Sequence, residues 1–215
     1  VGYICYRIAH DPGDGLVVQP AQEDAEGFSK DELARAIEAT PSVRDRVSEP
    51  RGRDGSNTIL HKSYQGGSLK IVGAHSGRGF RRITSDFVLF DEEDAYPPSA
   101  GAEGDQIALG KRRAHTAAFP KFLRGSTPLL LETSRIVPAW EASDQRDFFV
   151  PCPHCDAAQR LEWGGRDADY GIKWPEGRPE DAYYLCRECR EPIDHRKKAG
   201  MVAEGLVHQG RGGGW

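Results

Sequence analysis

The sequence predicts an α/β protein built on a mainly parallel sheet buried on both faces, with a smaller cysteine-bearing segment after it. Three observations predict this. Short continuous apolar runs such as Gly15–Gln19 and Phe87–Phe90 alternate with segments of helical periodicity, the pattern of strands covered on both sides. The runs are bounded by Gly, Pro and Asp rather than broken by polar residues at every second position. Near Val150 that rhythm gives way to turns, prolines and two CxxC pairs.

Taken in order, GLVVQ at Gly15–Gln19 lies between the turn DPGDG and Pro20 and reads as a buried strand. Ser29 with Glu32 forms a capping box, so a helix is expected from there, with Leu33, Ala36 and Ile37 at helical spacing and a stop near Pro41. A basic, Gly-rich connector at Arg51–Ser56 precedes strand candidates at Thr58–His61 and Ser68–Ala74. Gly73–Gly79 is a loop carrying Arg78, with Arg81 and Arg82 just beyond it. Phe87–Phe90 is the next strand, Ile107–Ala118 is helical, and Lys121–Gly125 leads into a Ser-Thr-Pro turn. Ser134–Ala142 is helical, and Phe148–Val150 is a strand entering the cysteine segment. No internal repeat is visible. The start at Val1 and the close at GRGGGW both read as mid-protein sequence, so the chain is expected to be a piece cut at both ends.

At 38% hydrophobic and 29% charged residues, the composition is that of a globular protein. No apolar stretch approaches the ~18–20 residues of a membrane helix, and no signal peptide is visible. The net charge of −4 is segregated: Arg51–Arg82 holds seven Lys or Arg against Asp54 alone, while Ser85–Asp105 holds seven acids and no base. A basic stripe (Lys62, Lys70, Arg78, Arg81, Arg82) beside an acidic patch suits a polyanion on one side and a metal ion on the other, although solvated loops of opposite sign would read the same way.

The acidic patch begins with FVLFDEED. Four apolar residues followed by Asp91 and Glu92 form the Walker B pattern, in which a buried strand delivers carboxylates to the crevice at its carboxyl end. Asp91 can hold Mg²⁺ through its water shell, and Glu92 can orient and deprotonate an attacking water. An acidic turn after a core strand is the plainer alternative. GSTP at Gly125–Pro128, about 35 residues further on, favours the nucleotide reading. In ATPases with an added strand between Walker A and Walker B, a polar Ser/Thr turn ends the neighbouring strand and couples hydrolysis to movement. A phosphate loop GxxxxGK[ST] is absent from the sequence. GDQIALGKR at Gly104–Arg112 imitates it with one residue too many and with Arg where Ser or Thr belongs.

Cys152-Pro-His-Cys155 and Cys186-Arg-Glu-Cys189 are two CxxC knuckles separated by 30 residues. Together they complete a tetrahedral Zn²⁺ site, which with four thiolates has no open position and is therefore structural. The spacing exceeds the ~15–20 residues of common ribbons, so an extended hairpin or loop must lie between. His154 is expected to face solvent, and Cys5 to be a small core residue. His10, His61, His75, His115, His195 and His208 share no spacing, and neither GxSxG nor HExxH occurs.

DPGDGLVVQP, GGSLKIVGAHS, FVLFDEEDAYPPSAGAEGD, GSTP, SRIVPAWEASDQRDFFVPCPHC and AYYLCRECREPID, in that order from His10 to Met201, resemble the large terminase subunit of tailed bacteriophages, in the lambda-like GpA group. The resemblance implies a partial additional-strand P-loop ATPase core over residues 1–150, a zinc-ribbon-like insert over 151–200, and from 201 the start of a linker to a nuclease domain. It implies a motor that couples ATP hydrolysis to the packaging of double-stranded viral DNA, with a nuclease beyond this chain. Asp91 would hold Mg-ATP, Glu92 would be the catalytic carboxylate, Ser126 and Thr127 would lie in the coupling motif, and Cys152, Cys155, Cys186 and Cys189 would hold zinc. Independently of the resemblance, the charge of the basic stripe makes Arg78, Arg81 and Arg82 candidates for contact with DNA or phosphate. The implied partners are viral DNA, the small terminase subunit and the portal of the procapsid, in the cytoplasm of a bacterial host, with a homo-oligomeric ring in the intact protein. The family places its phosphate loop shortly before a segment like Val1–Gly15, so this chain alone is expected to hydrolyse ATP poorly. Glu93 stands where a DEVD-like sequence has an apolar residue. A helicase-like translocase and a non-enzymatic zinc module that contacts DNA or a partner are the alternatives.

Overall fold

The computed structural model describes residues 1–47, 57–128, 130–165 and 167–209, which divide into two compact units, 1–138 and 139–215. The connector expected at Arg51–Ser56 lies outside the described residues.

The first unit is a five-stranded sheet in the order β2-β3-β1-β4-β5. Its strands are β1 (Gly15–Gln19), β2 (His61–Tyr64), β3 (Gly67–Gly73), β4 (Phe87–Asp91) and β5 (Lys121–Gly125). All neighbours are parallel except β2, which forms a hairpin with β3. Every residue of β1 is buried, because Leu16 and Val18 enter one core cluster while Val17 enters the other. β4 divides its side chains the same way, with Val88 and Phe90 on one face and Phe87 on the other. Alternation of side chains across a strand therefore fills two cores at once, which is why both runs are apolar without interruption.

One face is covered by α1 (Gly2–His10), which contributes Ile4 and Ile8, and by Phe28, Leu33 and Val43. The other is covered by the 3₁₀ turn Gly77–Phe80 and by α5 (Gln106–Arg113), contributing Phe80, Ile107 and Leu109. Burial of side chains of this size stabilises a fold by about 1.5–3 kcal/mol each.

Several boundaries differ from expectation for local reasons. The helix expected from Ser29 begins seven residues earlier: α2 (Gln22–Gly27) continues through a π-helical turn (Phe28–Leu33) into α3 (Ala34–Ala39). Asp24 reaches back to accept from the Ala21 amide at 3.0 Å and so supplies the N-terminal restraint. Ser29 is buried mid-helix, its hydroxyl donating to the Ile59 carbonyl. After the short α4 (Pro41–Arg44), β2 starts later than expected because the Gln65–Gly66 turn sets its register against β3, with Gly66 at φ +89°. α5 ends at Arg113 rather than Ala118, after Asp105 caps its start by accepting from the Ala108 amide at 2.8 Å. Gly110, the second glycine of the phosphate-loop imitation, lies inside α5 and is buried.

The second unit holds two three-stranded sheets. β6 (Arg146–Pro151) pairs with β7 (Ala158–Gln159) and with β11 (Leu206–Gln209), and β9 (Tyr183–Leu185) lies between β8 (Gly171–Lys173) and β10 (Pro192–Ile193). The compact unit thus begins after Pro138 rather than near Val150, because β6 belongs to the cysteine-bearing sheets. Met201, on α7 (Lys198–Ala203), is buried in this unit's core, and β11 pairs with β6. Residues 210–215 lie outside the described residues. Among the described residues no helix is long and apolar enough to cross a membrane.

Candidate functional site

The parallel register aligns the carboxyl ends of four strands in one row. Gln19 pairs with Gly73, Val18 pairs with Phe90 so that Gln19 stands beside Asp91, and Asp91 pairs with Gly125. Gln19 and Asp91 each follow their strand's inward residue by two positions and so share a face. The buried Gln19 amide donates to Asp91 Oδ2 at 2.8 Å. On the other side Gly125 presents no side chain, and even an added Cβ there would stay 4.0 Å from Asp91 Oδ1. Asp91 is half-buried, held on one oxygen and open on the other among the described residues.

Past Asp91 the three remaining acids have different environments. Glu92 adopts the left-handed conformation (φ 50°, ψ 46°) and is exposed. Glu93 is fully buried, and its two oxygens accept from Arg124 Nε and Nη2, each at 2.9 Å. Asp94 Oδ1 accepts from the amides of Arg135 (2.7 Å) and Ile136 (3.0 Å), at the start of α6 (Ile136–Glu141). Glu93, which lengthens the acidic run in the sequence, is therefore an ion-paired core group, and the carboxylates left at the carboxyl end of β4 are Asp91 and Glu92. Tyr96 donates its hydroxyl to the Val18 carbonyl at 2.8 Å, and burial pushes its phenol well above the usual range.

Ser126 follows β5 directly and its Oγ accepts from the Asp94 amide at 3.0 Å, which brings GSTP to the loop after FVLFDE. Thr127 is exposed. Arg78 and Arg82 are exposed, whereas the Arg81 guanidinium donates twice to Glu103 Oε1, at 3.0 and 2.6 Å. Lys62 and Lys70 are turned onto the carbonyls of Thr58 and Arg82. The basic stripe is thus partly occupied by the protein itself. Gln19 and Arg124 were not singled out in the sequence. The signals for them were a glutamine closing an otherwise apolar central strand and a lone arginine in KFLRG.

The four cysteines form the second candidate site. Each CxxC is the tip of a hairpin, β6–β7 or β9–β10. The Cys152 amide donates to Ala157 O at 3.0 Å and the Cys186 amide to Glu191 O at 3.2 Å. The amides of His154 and Glu188 point at Cys152 Sγ and Cys186 Sγ, both at 3.4 Å. The ligand atoms lie within 4.8 Å of one another, with Cys152–Cys189 at 3.8 Å and Cys155–Cys186 at 3.9 Å. A tetrahedron with metal–sulfur bonds of about 2.3 Å has sulfur–sulfur edges of about 3.8 Å, so this set fits a four-thiolate metal ion. Burial raises the Cys186 thiol, but the amides of Cys189 and Glu188 and the neighbouring thiols outweigh it and bring it to about 7. The Glu191 amide lowers Cys189, but burial and the three other thiols push it up to about 12. Four sulfurs this close share charge unequally, and a divalent cation would hold all of them as thiolates. His154 is exposed and its ring Nε2 lies 3.2 Å from the Pro192 carbonyl, outside the thiol set. Cys5 is half-buried against the first unit's core, and burial pushes its thiol up. The spacer between the knuckles contains the β8–β9 hairpin.

Residues 1–208 match the family model for the ATPase domain of the phage terminase large subunit gpA. The chain is 30% identical over 188 residues to the terminase large subunit of Enterobacteria phage P21, covering 86% of this chain and 29% of that protein. The same figures hold for the terminase large subunit of Escherichia phage lambda. The chain therefore spans under a third of the length of these curated relatives. Among solved structures it is similar to the large terminase ATPase domain of Thermus phage P74-26, at 18% identity, 59% of this chain, 53% of that chain and a TM-score of 0.38. A superposition that loose transfers no residue role. The family match over nearly the whole chain decides the matter: this chain belongs to the gpA family of phage terminase large-subunit ATPase domains.

Proposed function

We propose that the chain is the central part of an ATP-driven motor that packages double-stranded viral DNA, acting in the bacterial host cell with a small terminase subunit and a portal. The observation that carries this reading is the row Gln19–Asp91–Gly125 with Ser126 bonded to the loop after Asp91. It sets two carboxylates and the Ser-Thr turn at the carboxyl edge of one parallel sheet, where α/β proteins bind nucleotides.

Asp91 would hold Mg²⁺ through the ion's water shell, and its open oxygen with the amide-held partner oxygen fits that role. When bound, that ion supplies neutralisation of phosphate charge. Gln19 fixes the orientation of the Asp91 carboxylate. Glu92, exposed beside it, orients the attacking water and takes its proton. Ser126 and Thr127 would couple a change at the γ-phosphate to β5, and the bond from the Asp94 amide to Ser126 Oγ supports that reading. Arg78 and Arg82 are the side chains of the basic stripe available to a DNA backbone. Cys152, Cys155, Cys186 and Cys189 would hold a structural zinc ion.

The test is Glu92→Gln in the full-length gene product. ATP binding should stay near wild type while turnover falls by at least about 10²-fold. Near-normal turnover would move the catalytic base elsewhere.

A further inference from the structure

The acidic run does not end at the two crevice carboxylates. Glu93, its side chain wholly enclosed, is held by a two-pronged ion pair with Arg124 on β5. The pair is closed into a ring. Arg124 Nη2 also donates to the Arg135 carbonyl at 3.3 Å, the Arg135 amide donates to Asp94 Oδ1 at 2.7 Å, and the Asp94 amide donates to Ser126 Oγ at 3.0 Å. The Arg135 guanidinium carries the chain of bonds onward to the Pro97 carbonyl (3.0 Å) and to Gln106 Oε1 (3.1 Å). Gln106, also fully buried, donates to the carbonyls of Pro97 (2.9 Å) and Ala74 (3.2 Å), the latter just beyond β3. A belt of polar bonds thus crosses the carboxyl ends of β5, β4 and β3.

Glu92 lies at the one point of this loop with a left-handed backbone. An L-residue with a long side chain resists that conformation, and it persists only where its neighbours over-determine it. On one side the restraint is the β4 ladder, and on the other it is Glu93. A bidentate guanidinium–carboxylate pair fixes orientation as well as distance, which an apolar contact at the same place would not do.

We infer that Glu93 and Arg124 are positioning residues. Their ion pair sets the turn that presents Glu92 and ties that turn to the strand carrying Ser126. This rests on the ATPase reading above, while its structural half stands on the bonds themselves. Arg135 serves the same turn from the other side, through Asp94.

The experiment compares Arg124→Met, Arg124→Lys and the double variant Glu93→Leu/Arg124→Met with wild type in the full-length gene product. For each, kcat and KM for Mg-ATP are measured together with amide hydrogen exchange. Arg124→Met should lower kcat by roughly 10–100-fold with little change in KM, as expected for a catalytic group displaced by a fraction of an ångström to an ångström. Exchange at the amides of Asp94, Arg135 and Ile136 should accelerate. Arg124→Lys, which keeps one charged bond, should recover part of kcat. The double variant leaves no unpaired buried charge, so its melting temperature should return towards wild type while kcat stays low. If kcat recovers together with the melting temperature, the pair serves folding alone and the inference is overturned. Unchanged exchange at the three amides in both Met variants would overturn it as well. A wild type that neither binds nor hydrolyses ATP would refute the nucleotide reading instead, and the exchange result would then decide whether the pair holds the turn.

Discussion

Removing the metal from the cysteine-bearing unit should unfold that unit and leave the five-stranded sheet intact. Among the described residues its core cluster has five buried members, Val150, Cys152, Cys186, Ile193 and Met201, and two of these are the proposed ligands. The remaining three side chains contribute about 5–9 kcal/mol together at the usual value for buried apolar side chains. Zinc held by such knuckles contributes about 10–16 kcal/mol near neutral pH. An ion held there would therefore outweigh the apolar core around it, and the observed sulfur separations of 3.8 and 3.9 Å match the cage it would need. The assay is elemental analysis of protein purified without chelator, followed by amide exchange before and after chelation. About one zinc per chain is expected, as for any closed four-thiolate site. Chelation should abolish protection in β6–β10 while β1 and β4 keep theirs. Cys186→Ala, which removes a fully buried ligand, should reproduce the chelated state. Acidification should release the ion too, because protons compete for the thiolates. Protein that carries no metal, or that keeps full protection in β6–β10 once the metal is gone, refutes the reasoning.

Gln19→Ala should weaken the Mg²⁺ dependence of nucleotide binding by about 10-fold, the usual effect of losing a group that orients a metal-holding side chain. An unchanged Mg²⁺ titration would reduce Gln19 to a packing role. Gly110→Ala should destabilise the first unit by about 1–3 kcal/mol despite the better helix propensity of alanine. The added Cβ would lie 2.5 Å from Phe90 Cζ and 2.6 Å from Cε1. A raised urea midpoint would show that α5 can shift off β4. Arg78→Ala and Arg82→Ala should each reduce the salt dependence of DNA binding by about one ion, whereas Arg81→Ala should do less because Glu103 already engages its guanidinium. Slopes unchanged in the first two variants would remove the stripe from the interface.

The strands β1 and β4 were legible because each is buried on both faces, so no polar residue interrupts either run before Gln19 and Asp91 at the carboxyl ends. The cysteine pairs were legible because ligand spacing within a knuckle is local. What lay beyond reach was set at long range. Gln19 meets Asp91 across 72 residues and Glu93 meets Arg124 across 31, and neither pairing can be read before the strand order is known. The Walker B pattern set Asp91 and Glu92 apart in the sequence, but nothing there showed that Glu93 is buried or that Asp94 accepts from the start of α6. A single left-handed residue separates an exposed carboxylate from a fully buried one. The helix start was misplaced because Ser29 and Glu32 satisfy the capping pattern inside a helix that Asp24 had already restrained at Ala21.

The two cysteine-bearing hairpins can be laid over each other position by position. Val150 answers to Tyr184, Cys152 to Cys186, Ala157 to Glu191 and Gln159 to Ile193, with the same strand pairing and the same bond from the first cysteine's amide. Asp156 and Arg190, the residues just after the second cysteine of each knuckle, both take φ +60°. Across those ten positions only the cysteines are shared, so a duplicated backbone is written in two unrelated surfaces. The cage asks for two sulfurs, two amides and one left-handed turn per half, and nothing more from the side chains. Either half can therefore change its outward face to suit a new neighbour as long as its own two cysteines stay in place.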